Sequence, residues 1–305
     1  MFDTVELTLR DVSDLTALVN RIEELDRAPF RTSAAEMTEL LQGDSRGLGY
    51  WIDGGRLVGY SLAYRQANGN VRCTGGVDPN VRGRGIGHHC ISWSTEQARE
   101  MLIGGHGHIG VTVEFESPEL IEHLLAKGYR ETNSYAEMQV NLADYTPLVW
   151  RASALIDIHP WSAEMDRQVL RAHNRIVAGF GLELDEDHWL QGRSDFAPEC
   201  SFIAFDRRND RSPIVGYAMS SIYAQDWTAI GSRQGYIDRF VVYPAPRISR
   251  SIIGAGLLNA VLAAFRAEGL ETAGAGAEIG GHAIDLYRRV GFQVSSTVRE
   301  FEITV

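Results

Sequence analysis

Lysine is almost missing from this chain: Lys127 is the one lysine in 305 residues, so 28 of the 29 basic residues are Arg. A bias of that kind follows genome composition, and the arginine count by itself names no ligand. Cysteine is scarce too. Cys73, Cys90 and Cys200 have no CxxC spacing and leave one over in any disulfide scheme, so reduced, buried thiols are expected. No metal is expected, because the two His of "GGHGH" (Gly104 to His108) read as a glycine-rich turn. The opening "MFDTVELTLR" lacks a basic start followed by an apolar run, and no 18-residue apolar stretch stands out, so a soluble, cytoplasmic protein is expected. Acidic residues outnumber basic ones by 40 to 29, a net charge of −11. That balance argues against nucleic acid or an anionic membrane as partner and suits a small cationic substrate.

The length exceeds what one core usually needs, and the pattern repeats once, which points to two domains. In the first half the alternating "VELTLR" (Val5 to Arg10) precedes a helical region from Asp14 to Gln42 and a hairpin turning at "DGG". There follow "VRCTGGVDP", a glycine-rich bend, a helix to Leu102, the strand "IGVTVEF" (Ile109 to Phe115), the helix "PELIEHLLAKG" and a strand pair ending near Leu142. In the second half "LVWRASALIDI" (Leu148 to Ile158) restarts the plan, "GYIDRFVVYP" matches "CTGGVDP", and "AIDLYRRVGF" matches "LIEHLLAKGY" with Gly128 and Gly291 in step. Leu258, Val261, Leu262 and Phe265 form a core stripe on the long helix between them. The segment Asn141 to Pro147 is the natural joint.

The bend "VDPNVRGRGIGHH" (Val77 to His89) carries the most chemistry. Gly83, Gly85 and Gly87 allow a ligand to approach bare backbone. The helix that follows aims unpaired N–H groups and the positive end of its dipole at the bend. With Arg82 and Arg84 these make a receptor for phosphate oxygens. Neither GxxxxGK[ST] nor GxGxxG fits the spacing.

Val77-x-Pro79-x-x-Arg82-Gly83-x-Gly85-Ile86-Gly87, between a fourth strand and a long helix, resembles the acetyl-CoA pyrophosphate loop of the GNAT superfamily of N-acetyltransferases, whose core is R/Q-x-x-G-x-G/A. Tandem GNAT proteins of actinobacteria, the mycothiol synthases among them, are similar in length and layout. The resemblance implies an α/β (α+β mixed sheet) chain of two tandem GNAT-like domains, 1–145 and 146–305, each a mostly antiparallel twisted sheet flanked by helices. It implies an acetyl-CoA-dependent transferase acting on a small amine, with no metal, as monomer or homodimer. The acetyl and pantetheine portion would lie along Gly75, Gly76 and Val77, and the pyrophosphate over Gly83, Arg84, Gly85, Ile86, Gly87 and His88, with Arg82 beside them. Strand-edge amides suit the pantetheine arm and can polarise the thioester carbonyl.

The halves differ. Family members often place a tyrosine acid in "LYRRxGF", which here supplies Tyr287, whereas Leu124 holds that place in the first half. The second bend, aligned on Pro244, matches Arg247 to Arg82 but puts Ile248, Arg250 and Ile252 where the glycines stood. A slide by three residues still leaves Ser251 and Ile253 at the first two glycine places. The first half is therefore expected to grip acetyl-CoA, with Glu114 as a candidate base on the strand's second face. Two alternatives stand: the second half catalyses with Tyr287 as acid, or the chain binds acyl-CoA without catalysis.

Overall fold

A computed structural model describes residues 2–52, 55–114, 117–148, 155–178, 183–208, 214–243 and 250–305. Asp53 and Gly54 of the expected hairpin turn, Phe115, most of the Leu148 to Ile158 strand, and Pro244, Arg247 and Ile248 of the second bend lie outside these residues. The chain divides into two compact units, 1–134 with 298–305, and 135–297.

The first unit begins with β1 (Asp3–Glu6), α1 (Val12–Leu25) and α2 (Ala34–Gln42). Its next elements are β2 (Ser45–Ile52), β3 (Arg56–Arg65), β4 (Val71–Val77), α3 (Ile86–Met101), β5 (His108–Val113) and α4 (Pro118–Ala126). The long β6 (Arg130–Asn141) starts here and ends in the second unit. Helix α2 starts where it does because Ser33 and Glu36 cap each other, Glu36 N–H donating to Ser33 Oγ (3.2 Å) and Ser33 N–H to Glu36 Oε2 (2.6 Å). Strand alternation sends Tyr60 and Leu62 of β3 toward α1, and Ser61 and Ala63 toward α3.

The second unit holds β7 (Ile156–Pro160), α5 (Asp166–Val177), α6 (Glu186–Leu190), β8 (Phe202–Asp206), β9 (Ile214–Ser221) and α7 (Trp227–Ile230). It continues with β10 (Gln234–Val242), α8 (Arg250–Ala267), β11 (Thr272–Glu278), α9 (His282–Arg289) and most of β12 (Gln293–Thr304). Helix α8 is a correction: it is long and apolar enough to cross a membrane, although no such stretch is evident from the sequence. Its Ile253, Leu257, Leu258, Val261, Leu262 and Phe265 are all fully buried in the core of this unit, which is why the stretch is so apolar.

Each unit runs its strands in the same order. In the first, β1-β2-β3-β4-β5 is completed by 299–304 of β12, which pairs antiparallel with β5. In the second, β7-β8-β9-β10-β11 is completed by 135–141 of β6, antiparallel to β11. Among the described residues, the parallel pairs are β4/β5 and β10/β11. Where a closing strand pair was expected near Leu142, there is the single twelve-residue β6. The units thus interleave in sequence, and a single cut after 145 does not separate them.

The duplication is visible at the ends of α4 and α9. Tyr129 N–H donates to Leu124 O and Phe292 N–H to Tyr287 O, each at 3.1 Å, and Gly128 and Gly291 both adopt positive φ, 89° and 100°. Leu124 and Tyr287 therefore occupy equivalent places.

Candidate active site

In the first unit β4 and β5 pair only from Val71 to Cys73, against Ile109 to Val111. Beyond Cys73, β4 keeps its β3 partners through Val77 but has none on the β5 side among the described residues. The strands part there, so the expected edge, Gly75, Gly76 and Val77, presents main-chain groups to the gap. The two glycines also have a packing reason. A Cβ on Gly75 would lie 2.8 Å from Tyr60 O, and one on Gly76 would lie 2.8 Å from Ile22 Cδ1.

Beyond the edge the chain turns through Asp78 and Pro79 into α3. Asp78 Oδ1 accepts from Asn80 N and Nδ2, both at 3.0 Å, and its Oδ2 faces Arg21 Nε at 3.4 Å. Burial pushes this carboxyl up, but the Asn80 and Arg21 donors outweigh it and hold it below the usual range. Gly83 and Gly85 take φ of 77° and 82°, a region where side chains are strained, and Gly85 caps α3 in that conformation. A Cβ on either would meet nothing within 4 Å, and one on Gly87 only Val77 Cγ2 at 3.8 Å. The space over the loop is open, and the first amides of α3, those of Ile86, Gly87 and His88, face it without intrahelical partners.

Side chains fix the loop from behind. Ile86 is buried beside Val58, Val81 and Cys90. Tyr50 Oη bonds His89 Nδ1 at 2.8 Å. Arg82 is bound to Asp26 at the end of α1, Nη1 to Oδ1 at 2.8 Å and Nη2 to Oδ2 at 2.5 Å, and its Nε donates to Val77 O at 3.2 Å. Arg84 is exposed and makes no ion pair among the described residues. His88 is exposed, its ring edge-on to His123 at 6.0 Å. Glu114 is exposed just past the end of β5 and contributes to raising the hydroxyl pKa values of Tyr60 and Tyr64, in both of which burial is the larger cause. Leu124 is buried against Tyr129 and Phe301, far from any acid role. Burial pushes the thiols of Cys73, Cys90 and Cys200 up to about 12, so these free cysteines are inert packing groups.

The second unit repeats the parting of strands. Strand β10 pairs with β11 only from Gln234 to Ile237, and a bulge follows at Asp238. Asp238 is exposed, and its carboxylate accepts from Ser221 Oγ (2.7 Å) and Tyr223 Oη (2.8 Å). The protein packed around it desolvates the carboxyl and pushes it up to about 6, despite the two hydroxyls and Arg239, which favour the ionised form. Tyr236 Oη donates to Glu137 Oε2 at 2.7 Å, and burial raises both groups. Tyr287 is 1% exposed and packs on Phe240 and Phe292; burial first, then Glu137, raise its hydroxyl. In place of Gly75 and Gly76 the edge has Phe240 and Val241.

Asp238, Tyr236 and Glu137 escaped sequence reasoning. The signal available was a single acidic residue in the apolar run "GYIDRFVVYP".

A parallel strand pair that parts midway, followed by a helix whose N-terminus faces the gap, defines the GNAT fold, the scaffold of acyl-CoA-dependent acetyl transfer. Residues 161–292 match the family model described as Acetyltransferase (GNAT) family. A GCN5-related N-acetyltransferase from Sphaerobacter thermophilus is similar over 99% of this chain and 95% of its own, with 21% identity and a TM-score of 0.75. A tandem GNAT protein from the clavulanic acid biosynthesis pathway is similar over 100% and 98%, at 16% identity and TM-score 0.73. The glucosamine N-acetyltransferase region of a fungal multi-domain GH3 β-N-acetylglucosaminidase matches 99% of this chain but 38% of that one, at 15% identity and TM-score 0.75. No curated protein matches the sequence. Residues 161–292 carry the GNAT family's sequence signature, and the chain as a whole has the fold of tandem GNAT proteins.

Proposed function

We propose that the chain is an acetyl-CoA-dependent N-acetyltransferase acting on a small amine, with acetyl-CoA held by the first unit. The observation that carries this is the loop from Gly83 to Gly87, where two positive-φ glycines clear open space before the free amides of α3. The amides of Ile86, Gly87 and His88 would hold the pyrophosphate, and the edge from Gly75 to Val77 the pantetheine arm. Bound acetyl-CoA supplies a thioester carbonyl and a thiolate leaving group of pKa near 8.5. The edge N–H groups polarise that carbonyl as the neutral amine attacks, the C–N bond forms and the C–S bond breaks. The amine's proton passes to water or to Glu114, and the thiolate takes one from solvent.

A second reading places the chemistry in the second unit. It is favoured by Asp238, a carboxylate titrating near 6 at the point where β10 leaves β11, with Tyr287 as acid. Full-length Gly85→Arg and Asp238→Asn separate the two, by calorimetry with CoA and by thiol release over an amine panel that includes glucosamine. The first reading expects Gly85→Arg to abolish both CoA binding and turnover. Turnover that survives Gly85→Arg but is lost in Asp238→Asn would transfer the chemistry to the second unit. CoA binding without thiol release from any amine would leave a non-catalytic binder.

A further inference from the structure

One face of the sheet in the second unit carries charged groups that the reading above does not use. Tyr217, Met219 and Ser221 of β9 share this face. Strand β10 sets Tyr236 opposite Ser221, Arg239 opposite Met219 and Val241 opposite Tyr217. Asp238, the extra residue of the bulge, turns to the same side, where it meets Ser221. Beside it the Arg239 guanidinium lies 5.1 Å over Trp189. Arg193 stacks near the same indole at 5.8 Å, near Trp161 at 5.7 Å and on Phe196 at 4.1 Å.

Hydrogen-bond acceptors run short here. Asp166 Oδ1 takes Arg193 Nη1 at 2.8 Å and Trp189 Nε1 at 3.2 Å. Arg239 donates to the neutral Tyr217 hydroxyl, which also bonds His173 Nδ1 at 3.0 Å, and its charge favours the ionised form of Asp238. Trp161 Nε1, Arg193 Nε and Arg239 Nη1 are buried and have no acceptor among the described residues. The Trp161 residue is 5% exposed and the Arg193 side chain 10%. These three groups are donors, and two are cationic; the Tyr243 hydroxyl of the same cluster is unpaired as well. A buried donor without an acceptor costs about 1–3 kcal/mol, and more when it is charged. The missing complement is an anionic oxygen, on the same face of the sheet as an exposed carboxylate that suits an ammonium.

We propose that this face of the second unit binds a small amino acid, its amine at Asp238 and its carboxylate on Arg239, Arg193 and Trp161. The carboxylate reaches these covered N–H groups by displacing the aromatic side chains over them, so binding changes indole fluorescence as well as stability. The proposal concerns what this unit binds and is independent of which unit transfers acetyl groups.

The test uses the full chain without acetyl-CoA, so the outcome for acetyl transfer does not enter. The protein amino acids and their decarboxylated amines are titrated as matched pairs, read by calorimetry and tryptophan emission. At least one amino acid should bind about tenfold or more tightly than its own amine, the value of one charge-assisted hydrogen bond. Arg239→Leu should erase that ratio while sparing amine binding, and Arg239→Gln serves if the leucine variant does not fold. Asp238→Asn should weaken both members of the pair. Equal affinities within every pair, no binding across the panel, or a ratio unchanged in the Arg239 variants would each overturn the proposal.

Discussion

Arg82 grips Asp26 with both terminal nitrogens of its guanidinium and Val77 O with Nε, so its side chain braces the glycine loop from behind. Arg21 and Asp78 form a second tie between α1 and the same turn, so the end of α1 and the loop are held as one piece. In the proposed reading a phosphate over the loop would meet main-chain amides and Arg84, with Arg82 acting by position.

Asp26→Asn should therefore weaken CoA binding while leaving pantetheine, which lacks the pyrophosphate, bound as before. Arg82 is 45% exposed at its side chain, so solvent screens the pair and its contribution is modest. Calorimetry should find the CoA dissociation constant raised about threefold to tenfold. An equal loss for both ligands would mean that the pair merely supports the fold.

Gly85→Ala and Gly87→Ala should move stability in opposite directions. At Gly85 the φ of 82° strains any side chain, and alanine should cost about 1 kcal/mol. At Gly87 the backbone is helical and the added methyl meets only Val77 at 3.8 Å, so alanine should stabilise by about 0.5 kcal/mol. Both methyls intrude on the open cradle. Thermal melts and CoA titrations of the two variants check this: Gly87→Ala should melt higher than the parent yet bind CoA less tightly.

That loop was legible from the sequence because its information is local. Gly83 and Gly85 sit where the chain must bend, and the helix after them follows from Ile86, Cys90 and Trp93. The Asp238 bulge was not legible, since it exists only in the register between β9 and β10. Nor was the assignment of strands to units: alternation in β6 and β12 looks the same whichever sheet receives them. The Asp26 partner of Arg82 was not legible for a related reason, because it lies on another element.

Leu124 and Tyr287 hold equivalent places, but a tyrosine cannot simply be restored in the first unit. Leu124 is fully buried in a packed core, and Leu124→Tyr should destabilise by about 1–3 kcal/mol through overpacking. Tyr287→Phe removes only a hydroxyl, and if the first unit catalyses it should leave thiol release within about twofold of the parent, well under the factor of ten that 1.4 kcal/mol represents. Urea melts and a thiol assay on the two variants check both statements.

Asp238 should also mark the pH dependence of stability. Its carboxyl is raised to about 6 in the fold, against an ordinary value near 3.9 in the unfolded chain. Between these values the folded protein holds a proton that the unfolded chain has released, so stability falls as pH rises through this window and stays lower above it. The groups around the carboxylate are Ser221, Tyr223 and Arg239, which favour its charge, and Tyr236, raised well above its ordinary value and so neutral here. Asp238→Asn keeps an acceptor for the two hydroxyls but cannot ionise. It should match the parent's melting temperature near pH 4 and exceed it at pH 8, the gap opening between roughly 4 and 6. A gap that opens in the opposite direction, with the parent more stable at pH 8, would show that Arg239 and the hydroxyls outweigh desolvation and that the carboxyl is lowered by the fold.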